Sequence, residues 1–170
     1  MSRNRCCPCI PASNSVDLLL LRHGIAEERL DGLDHPDRAL TTRGQRRTHA
    51  VATALVQRGV QVDRLITSPY QRALETAQIA VGAGLAPMLE LHQALLPGGD
   101  VLPLVRRLTG RVCLVGHEPD LSWLASNLLG LPSRALALKK AGLIHLHGFD
   151  CHWQLQALLR PALLLDPVKA

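Results

Sequence analysis

Three short segments of the chain place basic side chains directly after runs of apolar residues. They are Arg22, His23 and Gly24 after the first run, Ser68 and Arg72 after the second, and His117 and Glu118 after a third. Arginine offers a planar fork of donors that matches phosphate or carboxylate oxygens, and it stays charged at working pH. A neutral imidazole can attack phosphorus and hold the phosphoryl group covalently. The three segments therefore predict one site for a phosphoryl-bearing anion.

The residue types in this set suggest a separate role for each side chain. Two arginines beside the predicted helix N-termini at Ser68 and Pro119 would form an anion-binding cradle. One histidine would act as the nucleophile, and a second, if protonated, would add positive charge where a transferring phosphoryl group gathers negative charge. This scheme needs no metal ion and no other cofactor. The absence of a carboxylate cluster after the strands also weakens a metal-dependent reading.

The apolar runs are the elements that must position these side chains. The run from Val16 to Arg22 is short and continuous, as expected of a strand buried on both faces. Strands alternate with helical patterns along the chain, which predicts a three-layer α/β/α sandwich around a mostly parallel sheet. In such sheets ligands bind beyond the carboxyl ends of the strands. The basic segments should therefore meet at one edge of the sheet.

Local signals give the expected element boundaries. Thr41 or Thr42 should cap a first helix that ends near Gln57, with Gly59 as its stop. Ser68 should cap a second helix, with Pro69 in its first position. The other expected elements are strands at 62–67, 88–91, 111–115, 143–147 and 151–158, helices at 100–108 and 118–130, a loop at 25–39 and a turn at 148–150.

Composition narrows the function classes. The 170 residues carry 19 basic and 14 acidic side chains, for a net charge of +5, and only four aromatic residues. Single-stranded nucleic-acid binding relies on aromatic stacking platforms, so no nucleic-acid partner is expected. No apolar run approaches the roughly 20 residues that span a bilayer, so no membrane association is expected either. The mild positive charge suits an anionic substrate.

The cysteines and the chain ends bear on compartment and domain count. Cys6, Cys7 and Cys9 crowd the N-terminus without a fourth metal ligand at a recognisable spacing. An odd number of cysteines and the lack of a signal-peptide core predict a cytoplasmic protein. We expect residues 1–14 to be a poorly ordered extension and residues 15–165 to form a single domain.

The ordered set of motifs resembles the histidine phosphatase superfamily, over roughly residues 16–160. It comprises Leu21–Gly24, Thr67–Pro69 with Arg72–Ala73 and Glu75–Ala77, and Val115–Pro119. The small SixA-type protein phosphohistidine phosphatases are the closer likeness, supported by residues 38–44, 96–100, 117–121 and 138–142. The resemblance implies a phosphoglycerate mutase-like fold with a six-stranded mixed sheet.

The resemblance also implies roles for individual residues. His23 would be the nucleophile that becomes phosphorylated, Arg22 and Arg72 would hold phosphoryl oxygens, and His117 would be the second histidine of the site. Gly24 and Ser68 are further expected substrate contacts. The implied partner is a phosphorylated protein, such as a histidine phosphorelay domain, or a small phosphorylated metabolite.

The general acid is where the sequence departs from larger superfamily members, which insert a helical lid bearing a glutamate. The stretch from Ala77 to Arg111 leaves no room for a large lid, and Glu90 is its only glutamate. Imidazole is a far less basic leaving group than an alkoxide, so a site without a strong acid favours phosphohistidine. Glu118 is the local candidate for an acid or for a group that orients His117.

Two alternatives to a phosphohistidine phosphatase stay open. One is a small-molecule phosphomonoesterase of the same superfamily, and the other is a non-catalytic binder of phosphorylated or acidic ligands. A mutase is disfavoured because retaining the phosphoryl donor would call for a lid.

Three other basic clusters give less specific signals. The histidines His145, His147 and His152 could form a loose metal site or be surface residues. Lys139 and Lys140 are expected near the rim of the site, and Arg46 and Arg47 on a solvated face.

Overall fold

The central element of the structure is a six-stranded mixed sheet, seen in a computed structural model that describes residues 15–29, 32–149 and 152–165. Its strands are β1 (Ser15–Arg22), β2 (Arg64–Thr67), β3 (Leu89–Leu91), β4 (Gly110–Gly116), β5 (Leu143–Phe149) and β6 (His152–Leu159). They lie in the order β3-β2-β4-β1-β5-β6. The first four in this order are mutually parallel, and β5 and β6 run antiparallel to their neighbours. The expected mixed sheet is confirmed.

Helices cover both faces of the sheet. They are α1 (Thr42–Gln57), α2 (Gln71–Gly82), α3 (Leu102–Val105), α4 (Asp120–Leu128) and α5 (Pro161–Leu165), with a 3₁₀ turn at Gln93–Leu95. The strand β1 shows why its apolar run is continuous. Leu18 and Leu20 pack into the core with α3 and α4, whereas Leu19 and Leu21 pack into the core with α1 and α2. Both faces are buried, so polar residues have no place in the centre of the strand.

Several boundaries differ from the sequence-based expectation. Ser68 does not cap α2, which begins three residues later at Gln71. The Ser68 hydroxyl contacts His117 instead, and Tyr70, the residue before the helix, has extended backbone angles. The helix expected at 100–108 shortens to α3, although Asp100 Oδ1 does accept a hydrogen bond from the amide of Leu102. The expected turn at 148–150 is wrong for its first two residues, which extend β5. Its third residue, Asp150, and the N-terminal extension lie outside the described residues.

The start of α1 is held against the loop after β1. Thr41 caps the helix, as expected, by accepting a hydrogen bond from the amide of Gly44, and its own amide donates to the carbonyl of Ile25. A Cβ atom at Gly44 would overlap the backbone carbonyl of Ile25. The segment after His23 and the first turn of α1 can pack this closely only because Gly44 has no side chain.

Gly44→Ala is therefore expected to lower the free energy of unfolding by about 3 kcal/mol, because backbone atoms must move to admit the methyl group. Urea denaturation followed by circular dichroism measures the change. Gly82→Ala is the matched control, since no atom lies within 4 Å of the added Cβ at the end of α2. The packing argument fails if the two variants are equally stable.

Candidate active site

Backbone hydrogen bonds fix the segment that carries the predicted nucleophile. The stretch Leu138–Gly142, which we call the clamp, runs beside the end of β1. The amide of Arg22 donates to the Gly142 carbonyl at 3.1 Å, and the amide of Ala141 donates to the carbonyls of Arg22 and His23 at 3.1 and 3.2 Å. These contacts hold Arg22 and His23 from the β5 side. The backbone at the site is therefore set by the sheet and the clamp together.

His23 is held as a neutral imidazole with a defined tautomer. Its Nδ1 lies 2.8 Å from the carbonyl oxygen of Gly24, which can only accept, so Nδ1 carries the proton. Burial, the neighbouring His117 and the nearby arginines lower the pKa of His23 to about 3. The lone pair therefore lies on Nε2 at neutral pH, which makes Nε2 the nucleophilic atom.

His117 lies beside His23, with 5.2 Å between the ring centroids. Its Nε2 is 2.9 Å from the hydroxyl oxygen of Ser68, and that oxygen also accepts a hydrogen bond from the amide of Tyr70. Burial and the positive charge of Arg72 lower the pKa of His117 to about 4. The second histidine is thus neutral at pH 7 in the free protein, so it would add positive charge only if substrate binding raised its pKa.

A carboxylate that the sequence analysis did not single out links two arginines at the site. Asp34 accepts from Arg72 Nη2 at 2.9 Å and lies 2.8 Å from Arg38 Nη2. Arg72 is almost fully buried, with 2 % of its surface exposed, and Tyr70 packs against its guanidinium at 4.9 Å. Arg38 is close enough that its charge helps to lower the pKa of His117. The site therefore contains three arginines, not two.

Hydrogen bonds to α2 position the loop that bears Asp34 and Arg38. Arg72 Nη1 donates to the His35 carbonyl at 3.3 Å, and the amide of Gln71 donates to the Pro36 carbonyl at 2.9 Å. At the end of the loop, the amide of Leu40 donates to Glu75 Oε2 at 2.7 Å. These three contacts tie the loop to the first turns of α2. The loop thus reaches the site because α2 holds it there.

Four buried nitrogen atoms at the site have no hydrogen-bond partner among the described residues. They are Nε of Arg22, Arg38 and Arg72 and Nδ1 of His117. Unpaired buried donors are costly and are uncommon in folded proteins. The charges of Arg22, Arg38 and Arg72 all lower the pKa of His117. The three arginine Nε–H groups are donors without an acceptor, as expected of a site that binds an anion with several oxygens.

Gly24 and Ser68, which we expected to contact substrate, are engaged within the protein. The amide of Gly24 donates to Thr76 Oγ1 at 3.0 Å, and a Cβ atom at Gly24 would overlap Thr48 Oγ1. The lack of a side chain at Gly24 thus lets the segment after β1 pack closely against α1. The hydroxyl of Ser68 contacts His117, so its position fits orientation of that ring. Direct substrate contact by either residue stays a prediction.

The Glu118 carboxylate makes no hydrogen bond to the ring of His117 in the described residues. Its Oε1 and Oε2 accept from the amide and the hydroxyl of Ser122, at 3.0 and 2.6 Å, in the first turns of α4. The ring of His117 is instead contacted by Ser68. A cavity of about 600 Å³ adjoins Glu118 on the α4 side and is lined further by Gly98, Gly99, Asp100, Pro119, Asp120, Ser122, Trp123, Ser133, Arg134 and Leu136. A role for Glu118 as an acid stays a prediction.

The other histidine cluster has a carboxylate that the sequence analysis overlooked. His145 Nε2 and His147 Nδ1 lie 3.3 and 2.9 Å from the same Asp17 oxygen, on the strand next to them. His152 is paired with Phe149 at the far end of the hairpin. In residues 15–29, 32–149 and 152–165 no group of three or more His, Cys, Asp or Glu side chains could hold a metal ion.

The two active-site imidazoles should remain neutral over an unusually wide pH range. We expect their Cε1–H NMR signals in the free protein to keep neutral-imidazole shifts from pH 8 down to pH 5, because both pKa values lie near 3 to 4. His23→Ala and His117→Ala assign the two signals by their loss. A midpoint above pH 5 for either signal would show that burial and the arginines do not control these rings.

Comparisons with known proteins agree with this geometry. Residues 18–95 match the family model of the histidine phosphatase superfamily, branch 1. An uncharacterized protein of Picosynechococcus sp. is 39% identical over 139 residues, which cover 77% of this chain and 84% of that protein.

Solved structures share the fold. The protein histidine phosphatase SixA complexed with tungstate has a TM-score of 0.77 at 22% identity, covering 87% of this chain and 99% of that one. A putative alpha-ribazole-5'-P phosphatase from Escherichia coli has a TM-score of 0.68 at 18% identity, covering 87% of this chain and 98% of that one.

None of the helices in the described ranges is long and apolar enough to cross a membrane. With its matched motifs, its relative and its fold, the chain belongs to the histidine phosphatase superfamily.

Proposed function

We propose that this phosphatase hydrolyses phosphohistidine on a protein substrate, through a phosphohistidine intermediate on His23. The neutral Nε2 of His23 attacks phosphorus, the phosphorus–nitrogen bond of the substrate breaks, and the leaving imidazole takes up a proton. Water then attacks the phosphoryl group on His23, which yields inorganic phosphate and the free imidazole. Both steps transfer the phosphoryl group between nucleophiles without a change of oxidation state.

The arginines and His117 would stabilise the phosphoryl group during both steps. The Nε–H groups of Arg22, Arg38 and Arg72 have no acceptor within the described protein, which supports an anion-binding role for these side chains. Donors that are already in place cost little reorganisation when charge develops in the transition state. A bound phosphoryl group would also raise the pKa of His117, because a nearby negative charge favours its protonated form.

The observation that carries the choice of substrate is the engagement of both nearby carboxylates. Glu118 accepts from Ser122 with both oxygens, and Asp34 is shared by Arg38 and Arg72. Neither is placed as a free acid for a strongly basic alkoxide. An imidazole leaving group needs much less assistance, because its conjugate acid titrates near neutral pH.

The alternative is a small-molecule phosphomonoesterase, which the cavity of about 600 Å³ beside Glu118 favours. That volume suits the non-phosphoryl part of a metabolite. In this case Glu118 would have to release Ser122 before it could protonate a leaving alkoxide.

A substrate panel separates the two functions. We expect kcat/KM for phosphohistidine, free and on a phosphorylated phosphotransfer domain, to exceed that for alkyl and sugar phosphomonoesters at least about 100-fold. Glu118→Gln should leave phosphohistidine turnover within about threefold, since no alkoxide must be protonated. A preference for alkyl phosphomonoesters that Glu118→Gln abolishes would establish the alternative.

A further inference from the structure

A second group of basic side chains lies at the same edge of the sheet as the active site, outside the site itself. We define the basic rim as Arg43, Arg46, Arg47, Lys139, Lys140 and Arg160. Five of the six are exposed and Arg47 is half-buried. None forms an ion pair with a described residue. Their positive charge is therefore not neutralised within residues 15–29, 32–149 and 152–165.

The fold brings these residues to the edge of the sheet where His23 lies. The three arginines of α1 occupy its first two turns, which begin next to Ile25. Lys139 and Lys140 belong to the clamp, which bonds to the backbone of Arg22 and His23. Arg160 follows the end of β6, whose last residue pairs with Leu143 beside Leu21. Three chain segments far apart in sequence thus present positive charge at one edge.

The rim is continuous with the active site on one side and with a groove on the other. Lys140 belongs to the clamp, whose next residue bonds to the backbone of Arg22 and His23, and partial burial and the charges of nearby arginines lower the pKa of Lys140. Between α1 and α5 a groove of about 590 Å³ is lined by Thr42, Arg43, Arg46, Arg47, Pro161, Ala162 and Leu165. A partner that reaches His23 from this side would lie across both features.

Acidic side chains at the same edge lie on the opposite side of the sheet. Asp100, Glu118 and Asp120 line the cavity next to α4, whereas the rim is on the side of α1 and α5. The lining of that cavity also includes one basic residue, Arg134, so its carboxylates outnumber its positive charges and a negatively charged molecule is favoured on the rim side. The two halves therefore orient the approach of a partner as well as attract it.

Resting on the proposed function, we propose that the basic rim is the docking surface for the phosphorylated protein, and that this partner presents acidic side chains around its phosphohistidine. His23 and His117 are only 6 % and 3 % exposed, so most of the protein substrate must rest on the surface outside the site. On the rim side that surface is basic. Rim charges of this kind act mainly on the rate of association and its dependence on salt.

The test compares charge reversal on the rim with the same reversal elsewhere. Arg46→Glu/Arg160→Glu is made in the full chain, with Arg106→Glu/Arg107→Glu as the matched control between α3 and β4, at the other end of the sheet. The substrates are free phosphohistidine and a histidine phosphotransfer domain of net negative charge, phosphorylated on its histidine. We expect the rim variant to raise KM for the phosphorylated domain about tenfold, with free phosphohistidine turnover unchanged.

Ionic strength provides an independent readout. The kcat/KM of the wild type on the phosphorylated domain should fall as salt rises, and the rim variant should show a shallower fall. The docking surface is refuted if the variant and the wild type handle the domain alike, or if turnover of free phosphohistidine drops in parallel. The rim would be assigned to other polyanions if the wild type bound a DNA duplex or anionic vesicles as tightly as the phosphorylated domain and the rim variant lost that binding. Failure of the proposed function would differ, because the wild type itself would not dephosphorylate either substrate.

Discussion

Replacing His23 with alanine should reduce kcat by at least about 10⁴-fold, because the variant lacks the imidazole that we propose takes the phosphoryl group covalently. The remaining arginines and His117 should still bind inorganic phosphate, with an affinity within a few-fold of the wild type by calorimetry. A non-catalytic binder would also keep its affinity in this variant, but it would have no turnover to lose. The paired measurement of kcat and phosphate affinity therefore separates an enzyme from a binder.

Trapping the phosphorylated intermediate tests directly whether His23 is the nucleophile. Rapid quenching of the wild type during turnover of a ³²P-labelled substrate should leave label on the protein that is lost in acid and stable in base. His23→Ala should carry no such label, whereas His49→Ala, an exposed histidine of α1, should label normally. Label that persists in His23→Ala would place the nucleophile elsewhere.

The second large effect concerns the shape of a guanidinium group and not its charge. Arg72→Lys should lower kcat/KM by about 10²–10³-fold, since lysine is a point charge and cannot contact several phosphoryl oxygens in a plane. The substitution also removes the fork that holds Asp34 and the His35 carbonyl. Steady-state kinetics on free phosphohistidine measures the loss without involving protein docking.

An exposed arginine offers the matched control for this substitution. Arg64 also makes two hydrogen bonds to a carboxylate, that of Glu90, at 2.9 and 2.8 Å, but on the surface between β2 and β3. Arg64→Lys should leave kcat/KM within about twofold and should change stability by less than about 1 kcal/mol. Comparable kinetic losses in both variants would mean that Arg72 acts through general stability.

The convergence of the site was predictable because it follows from topology. Any parallel sheet brings the carboxyl ends of its strands to one edge, and apolar runs locate those ends without further information. Arg22, His23 and His117 each lie within two residues of such an end. Their proximity needed only the assignment of strands, and the structure brings them together as the sequence predicts.

The two charged side chains that the loop before α1 adds to the site could not be predicted from the positions of the strands. Asp34 and Arg38 lie in an irregular stretch, where periodicity gives no direction for a side chain. Their positions depend on hydrogen bonds from α2, such as that between Leu40 and Glu75, which link residues 35 apart in sequence. The only sequence signal was indirect, since residues 38–44 were part of the family resemblance.

The error at the start of α2 has a tertiary cause. Local capping preferences favoured Ser68 as the N-cap of a helix, but its hydroxyl is used in a contact with His117, 49 residues away. The protonation state of His117 likewise depends on tertiary surroundings, because burial and the charges of nearby arginines lower its pKa. Tertiary contacts override local rules where the chain builds a functional site.

The pairing of Asp34 with Arg38 and Arg72 has a consequence for the resting enzyme between catalytic cycles. A buried guanidinium without a counter-ion would favour local opening of the structure, because the charge could then regain water. Asp34 supplies a counter-ion to Arg38 and Arg72 from a loop anchored on α2. These two arginines therefore have a negative partner without a bound phosphoryl group. We expect the free protein to keep both side chains in position at low phosphate concentrations.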